Sequence, residues 1–448
     1  MNQVQQHPQD QWLQYARLED AGYDSRRLSD AQAHFERVNS AAVMIIDNGA
    51  VLAAWGDISR RFRCHSVRKS LMSALFGIYV DRGVIDLGKT LGELGINDST
   101  PLTTQEQQAT IADLLKSRSG IYLPAAYETE QARKLRPQRE SHAPGTHWYY
   151  NNWDFNALLT IFEQETGKPF IDAFDEEIAK PLQMEEFRPH DTYHHYERNH
   201  SEHPAYPLRM SAKDMARFGL LFLRNGLWCD DGVTHKQVLS ARWIEESTRC
   251  YSGAEDMFGY GYLWWTVQAQ LLNGRLQQLG AYVAQGVGTQ LLMVIPGANL
   301  VIVHRANTYE KINVNGPQIL AGIEMILDAK RDDIAPVQEP SLTPLRNPDP
   351  AITPVKLDSV TLDAYTGDYR LDDGRIIQIA RRYDSTPTDL MLTILNPQRL
   401  QPTYLLPLSQ THFRLEDVGS DVIFELDTDG QSVGVRLVRD KIEYAPRL

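Results

Sequence analysis

No apolar run in this 448-residue chain is long enough to cross a bilayer, which takes about 20 residues in a row, so no membrane partner is expected. Cysteine is scarce. Cys64, Cys229 and Cys250 are an odd set, and their spacing fits neither a zinc knuckle nor a disulfide framework, so they read as reduced, with Cys64 as buried filler. Positive charge is in deficit, 45 Lys and Arg against 58 Asp and Glu, and a net charge of -13 argues against nucleic acid, whose phosphates call for a basic surface. The opening "MNQVQQHPQDQW" lacks the basic-then-apolar pattern of a secretory signal, which predicts a cytoplasmic location, or a periplasmic one if a signal has been removed. There is no internal repeat and no low-complexity tract. What is present, 42% hydrophobic and 23% charged residues, is the composition of a globular protein, and the length suits one large domain plus a smaller one.

Six prolines between Pro336 and Pro354 mark a seam, because such a stretch forms neither helix nor central strand. The boundaries predicted are a domain over 1–335, a linker over 336–356 and a second domain over 357–448. In the second, short alternating runs such as "RIIQIARR", "LMLTIL", "VIFELD" and "VGVRLV", separated by Asp/Gly turns, predict a small antiparallel β-barrel. In the first, "AAVMIID" and "AVLAAW" flank Asn48-Gly49, a type I′ hairpin signal, while "TQLLMVIP" and "LVIVHRA" close the domain as strands. Helical periodicity lies between, in 66–82, "TIADLLKS", "DFNALLTIFEQETG" and "SAKDMARFGLLFLRNG". The order predicts an α+β domain: an antiparallel sheet, with first and last strands together, flanked by helices, and an all-helical subdomain.

Within "CHSVRKSLMSALFGIYVDRG", Ser66 and Lys69 stand three apart and share one helix face. A serine hydroxyl becomes a nucleophile when a neighbour takes its proton, and a desolvated lysine can be neutral enough to do so. The same spacing also describes a capped helix with a solvated lysine. Downstream, "PGTHWYYNNWDF" sets Tyr150 and Asn152 just before a helix, a phenol able to move protons and an amide able to orient a carbonyl.

Taken together, "SVRKSLMSALFGIYVDRGVIDL", "IADLLKSRSGI", "PGTHWYYNNWDFNALL", "MSAKDMARFGLLFLRNG" and "FGYGYLWW" resemble the serine β-lactamase and penicillin-binding-protein superfamily over about residues 25 to 330. The branch it resembles is the class C-like one of esterases, D-amino-acid amidases and nylon-oligomer hydrolases, some of which append a lipocalin-like domain. The resemblance implies that Ser66 is acylated, Lys69 is its proton partner, Tyr150 is the base in acylation and Asn152 orients substrate. Which of Lys69 and Tyr150 holds the proton at each step stays open. No metal or other cofactor is implied.

The family's third motif, a strand bearing Lys-Thr-Gly or His-x-Gly, is matched by Ala284-Gln285-Gly286 in "YVAQGVGTQ". Gln285, Gly286 and Val287 are then expected at the substrate, with the N–H groups of Val287 and Ser66 as an oxyanion hole. The motif's cation is missing, and His304 or Arg305, on what reads as the next strand, is the available replacement. The five histidines of "PHDTYHHYERNHSEHP" lack the spacing of a helical zinc site and read as a loop over the cleft, with Tyr193, Tyr196 or Tyr206 reaching substrate. The expectation is a metal-free serine hydrolase, foremost a carboxylesterase of small neutral esters. The alternatives are an amidase or D-aminopeptidase, a β-lactamase-like hydrolase, and a non-catalytic binding module of the same fold.

Overall fold

The Asn48-Gly49 hairpin forms near the middle of a ten-stranded sheet, with φ of 49° at Asn48 and 86° at Gly49, the left-handed pair that a type I′ turn requires. In this computed structural model, residues 6–448 are described apart from 190–191, 230–231, 256, 269–270, 311, 313, 348–353, 383–388, 396–402, 417–419 and 439–440. The chain divides into two compact units, Met1–Pro348 and Asp349–Leu448. The predicted linker falls partly outside the described residues, at 348–353.

From edge to edge the large sheet runs Leu342–Pro344, Leu13–Tyr15, Ala50–Gly56, Ala42–Asp47, Leu300–Arg305, Gln290–Ile295, Tyr282–Gly286, Trp265–Val267, Phe258–Tyr260 and Ser252–Glu255. The closing strand Leu300–Arg305 pairs antiparallel with Ala42–Asp47, so the two ends of the domain do share one sheet. Two details differ from the sequence reading. Leu13–Tyr15 meets Ala50–Gly56 in parallel, and part of the proline-rich stretch becomes a strand at the sheet's outer edge, where the N–H that proline lacks is not needed.

Helix Ala212–Leu223 packs on one face of the sheet. At Gly219 a Cβ would come within 2.6 Å of both Leu292 and Val301, so the absent side chain lets helix and strands close up. Helix Gly316–Ala329 packs with Ser25–Arg37. Helix Arg68–Asp81 is buried almost throughout, from Arg68 to Tyr79, as befits a helix apolar all round rather than along one stripe. Helices Asn152–Thr166 and Phe170–Phe174 pack against it and form the helical part of the unit.

The second unit is a meander of eight antiparallel strands in sequence order, from Gly367–Arg370 to Ile442–Pro446. A bridge between Tyr369 and Arg447, and a 2.8 Å bond from Leu448 N–H to the Asp368 carbonyl, bring the last strand back to the first and nearly close the barrel. Tyr365, Tyr369, Phe413 and Phe424 fill it.

Candidate active site

Ser66 sits two residues ahead of the α-helix, on a single 3₁₀ turn, His65–Val67, that leads directly into Arg68–Asp81. Three residues on, Lys69 projects the same way. Its Nζ lies 3.0 Å from Ser66 Oγ, 2.6 Å from the Tyr150 hydroxyl and 3.3 Å from Asn152 Oδ1. The structure therefore brings Ser66, Lys69, Tyr150 and Asn152 together around one nitrogen.

The tyrosine is delivered by a stitched loop. Ser117 donates to the Tyr149 carbonyl at 2.6 Å and accepts from Asn151 N–H at 3.0 Å, while Asn151 Nδ2 donates to the Ile121 carbonyl at 2.6 Å. Asn151 also caps helix Asn152–Thr166 by accepting from Trp153 N–H. Because Asn151 takes the capping role, the neighbouring Asn152 side chain is left for Lys69.

Burial governs the protonation of the pair. Lys69 is 2% exposed, with its Nζ 4.2 Å from the Phe155 ring centre, and desolvation, helped by the Arg68 cation, pushes its amine well below the usual lysine value. Tyr150 packs between Phe155 and Trp265, and burial raises its phenol to about 12, against the opposing pull of its bond to Ser66 and the charge of Arg68. Burial thus works against both the ammonium on Lys69 and the phenolate on Tyr150. In all three contacts Lys69 Nζ is the donor, to Ser66 Oγ, the Tyr150 hydroxyl and Asn152 Oδ1.

Strand Tyr282–Gly286 runs against the serine turn. A Cβ on Gly286 would stand 2.8 Å from Ser66 N and 2.7 Å from the Cys64 carbonyl oxygen, so only glycine fits there. Ala284 shares that face by the period of two and presents an uncharged methyl there. Gln285 does not join the site. Its side chain leaves the opposite face with Val283 and borders a cavity of about 410 Å³ lined by Leu291, Met293 and Ile319, so the substrate contact expected of it is corrected by strand alternation. Val287 follows in a turn and is 53% exposed.

The candidate replacement cations are occupied. His304 and Arg305 lie two strands away from Tyr282–Gly286, not one. His304 bonds the Thr289 carbonyl at 2.7 Å and Ser40 Oγ at 2.9 Å, and burial lowers it to about 4. Arg305 donates to Gln290 Oε1, the Met210 carbonyl and the Phe62 carbonyl, and lies fully buried against Cys64.

The histidine segment is a loop whose rings are engaged locally. His194 lies 3.1 Å from Glu163, Glu197 holds His195 at 3.1 Å and His200 at 2.7 Å, and His203 meets Thr160 at 2.9 Å. His190 lies outside the described residues. Tyr206 is buried beneath Arg68 rather than reaching over the cleft, and Tyr196, 43% exposed, lies against His194 and Arg198. The sequence reading missed Arg68, a second cation at the head of a helix that carries no further charge until Asp81, and that isolation was the available signal.

A sheet carrying helices around a half-buried serine turn is the frame of the β-lactamase-fold hydrolases. A model of the Beta-lactamase family matches residues 26–315, more than half of the sequence, and the chain belongs to that family. Among curated proteins, a D-aminopeptidase of Brucella anthropi is 40% identical over 67 residues, which is 14% of this chain and only 12% of that protein. Among solved structures, a penicillin-binding protein homologue from Pyrococcus abyssi is similar with a TM-score of 0.48 at 16% identity, over 94% of this chain and 99% of that one. A penicillin binding protein from Bacillus halodurans gives 0.48 at 16% identity, over 66% and 98%. Among the described residues no helix is long and apolar enough to cross a membrane.

Proposed function

We propose that this chain is a serine hydrolase working through an acyl-enzyme on Ser66, foremost a carboxylesterase of small neutral esters. The observation that carries the reading is the buried Lys69 amine, 3.0 Å from Ser66 Oγ and 2.6 Å from the Tyr150 hydroxyl. In the first half-reaction Ser66 Oγ attacks the ester carbonyl and its proton passes to Lys69 Nζ. The oxyanion forms where the Ser66 and Val287 N–H groups are proposed to point. As the C–O bond breaks, Tyr150 gives its proton to the departing alkoxide and regains one from Lys69, so alcohol leaves and the enzyme is acylated. Water then repeats the sequence, losing a proton to the same pair and releasing the acid. Asn152 holds Lys69 and orients the acyl group.

Amidase action on a short or D-amino-acid amide is the second reading, favoured by the D-aminopeptidase likeness over 67 residues. A binding module has no need of a serine with a buried lysine amine 3.0 Å from its hydroxyl. The test is intact-mass spectrometry after exposure to a fluorophosphonate, with p-nitrophenyl esters and anilides assayed beside it. One adduct on Ser66 and faster ester turnover are expected; labelling at Ser70 or Cys64 sinks the assignment.

The site of Ala284 adds a substrate preference. A charge-assisted contact to a substrate carboxylate is worth about 1.5–3 kcal/mol, ten- to hundredfold in binding, and an alanine cannot make one. Short neutral esters are therefore expected to beat penicillins by about tenfold or more in kcat/KM, and Ala284→Lys to narrow that gap. Faster hydrolysis of penicillin than of p-nitrophenyl acetate by the unaltered chain refutes the preference.

A further inference from the structure

Arg68 lies beside the four residues just described and shares no ion pair with any carboxylate among the described residues. It is 2% exposed in the first turn of the buried helix. Its Nη1 donates to the His65 carbonyl at 2.8 Å, and its guanidinium lies 4.8 Å from the Tyr206 ring centre and 5.6 Å from that of Tyr127. Tyr206 is itself buried with no hydrogen-bond partner for its hydroxyl, so what lies beneath Arg68 is a ring face rather than an anion.

Two features of the nucleophile's turn depend on this placement. His65 holds φ of 49°, a left-handed conformation uncommon for any residue but glycine, immediately before Ser66. Its backbone carbonyl is tied by Arg68 and its ring by Thr308 Oγ1, 2.8 Å from Nε2, so both ends of a strained residue are anchored. That strain fixes the direction of the next N–H, the one on Ser66 that faces Gly286. The second feature is electrostatic. A guanidinium keeps its charge at any working pH, and one fixed positive charge beside a buried amine disfavours a second.

We infer that Arg68 is a positioning residue of the Ser66 site, clamping the strained His65 carbonyl and placing one permanent positive charge next to Lys69. The inference rests on the proposed nucleophile only for its kinetic readout. The groups facing Lys69 leave that charge unopposed. Along its own stretch stand His65 and Arg68, and His65 is lowered to about 3 by burial and then by Arg63, Arg68 and Arg305, so its ring is neutral. From the approach to helix Asn152–Thr166 come Tyr150, Asn152 and Phe155, none of them anionic at rest. Behind these, Tyr260 packs on Tyr150 and Tyr206 lies under Arg68, both raised by burial. The carboxyl on the same helix, Asp154, is turned to Ser119 Oγ at 2.5 Å and Asn151 Nδ2 at 2.8 Å, and burial holds it toward its neutral form.

The test follows Lys69 itself. The full chain labelled with 13C at lysine Cε is titrated by NMR in the wild type and in Arg68→Gln, Arg68→Met and Arg68→Lys, with melts recorded to show that each is folded. Arg68→Met keeps a stem that packs on Tyr206 should the glutamine variant fail to fold. The Lys69 titration is expected to move up by about one pH unit or more in the two charge-free variants and to stay near the wild type in Arg68→Lys. The rate of Ser66 phosphonylation by a fluorophosphonate is read in parallel, and its acid limb should shift with the amine. An unmoved Lys69 titration in a folded charge-free variant overturns the inference, as does a wild-type Lys69 that is ammonium well above pH 7. A wild type that the fluorophosphonate does not label counts against Ser66 as nucleophile, and the NMR titration still decides the role of Arg68.

Discussion

Ser66→Ala is expected to lower kcat/KM for a small ester by about 10⁴-fold or more and to leave the melting temperature nearly unchanged. The side chain removed is one hydroxyl whose bonds lead to Lys69 and Tyr150, so the fold loses little and the chemistry loses its attacking atom. The more discriminating comparison is with Lys69→Met, which keeps the stem between Tyr150 and Phe155 and deletes the amine. Removing a buried group that is costly to charge relieves desolvation, so that variant is expected to be as stable as the wild type or more so, by about 1 kcal/mol, while activity falls by a factor approaching that of Ser66→Ala. Groups that act as one unit are not additive, and the double variant should fall little below either single one. If Lys69→Met retains a tenth of wild-type kcat/KM, the amine is not the proton acceptor. Such a result would pass that role to Tyr150.

Much of this site is legible because it is local. Ser66 and Lys69 are brought together by the helical period alone, and Tyr150 with Asn152 by the turn that starts the next long helix. What the sequence could not carry is which of two adjacent asparagines caps the helix, since that depends on Asn151 reaching Ile121 and Asp154. The strand holding Gly286 could be located, but its facing could not. One position decides whether a side chain meets substrate or the cavity behind the sheet, and Gln285 fell on the far side. Arg68 stood out in the sequence only as an isolated cation, because its partners are the His65 backbone and Tyr206, more than a hundred residues on. The edge strand Leu342–Pro344 was hidden by the prolines in and around it, a residue type that is excluded from an interior strand and tolerated in an outer one.

Strand facing also predicts the second large effect. Gly286→Ala is expected to reduce the acylation rate by about 10²- to 10³-fold, the range seen when an oxyanion donor is displaced. Gly286 is not among the glycines with left-handed φ, so alanine is acceptable to its backbone and only space opposes it. The added methyl would lie 2.8 Å from Ser66 N and 2.7 Å from the Cys64 carbonyl oxygen, and both are backbone atoms that no rotamer change can withdraw. Either the strand backs away or the nucleophile turn does, and in both cases the donors no longer converge on one oxygen. Gln285→Ala is the control: one residue earlier, on the other face, it should change the rate by less than about threefold. The pre-steady-state release of p-nitrophenol from p-nitrophenyl acetate separates acylation from deacylation and isolates the step in question. Equal losses in Gln285→Ala and Gly286→Ala would mean that the strand matters for stability alone, and a Gly286→Ala enzyme within a few-fold of wild type would place the oxyanion elsewhere.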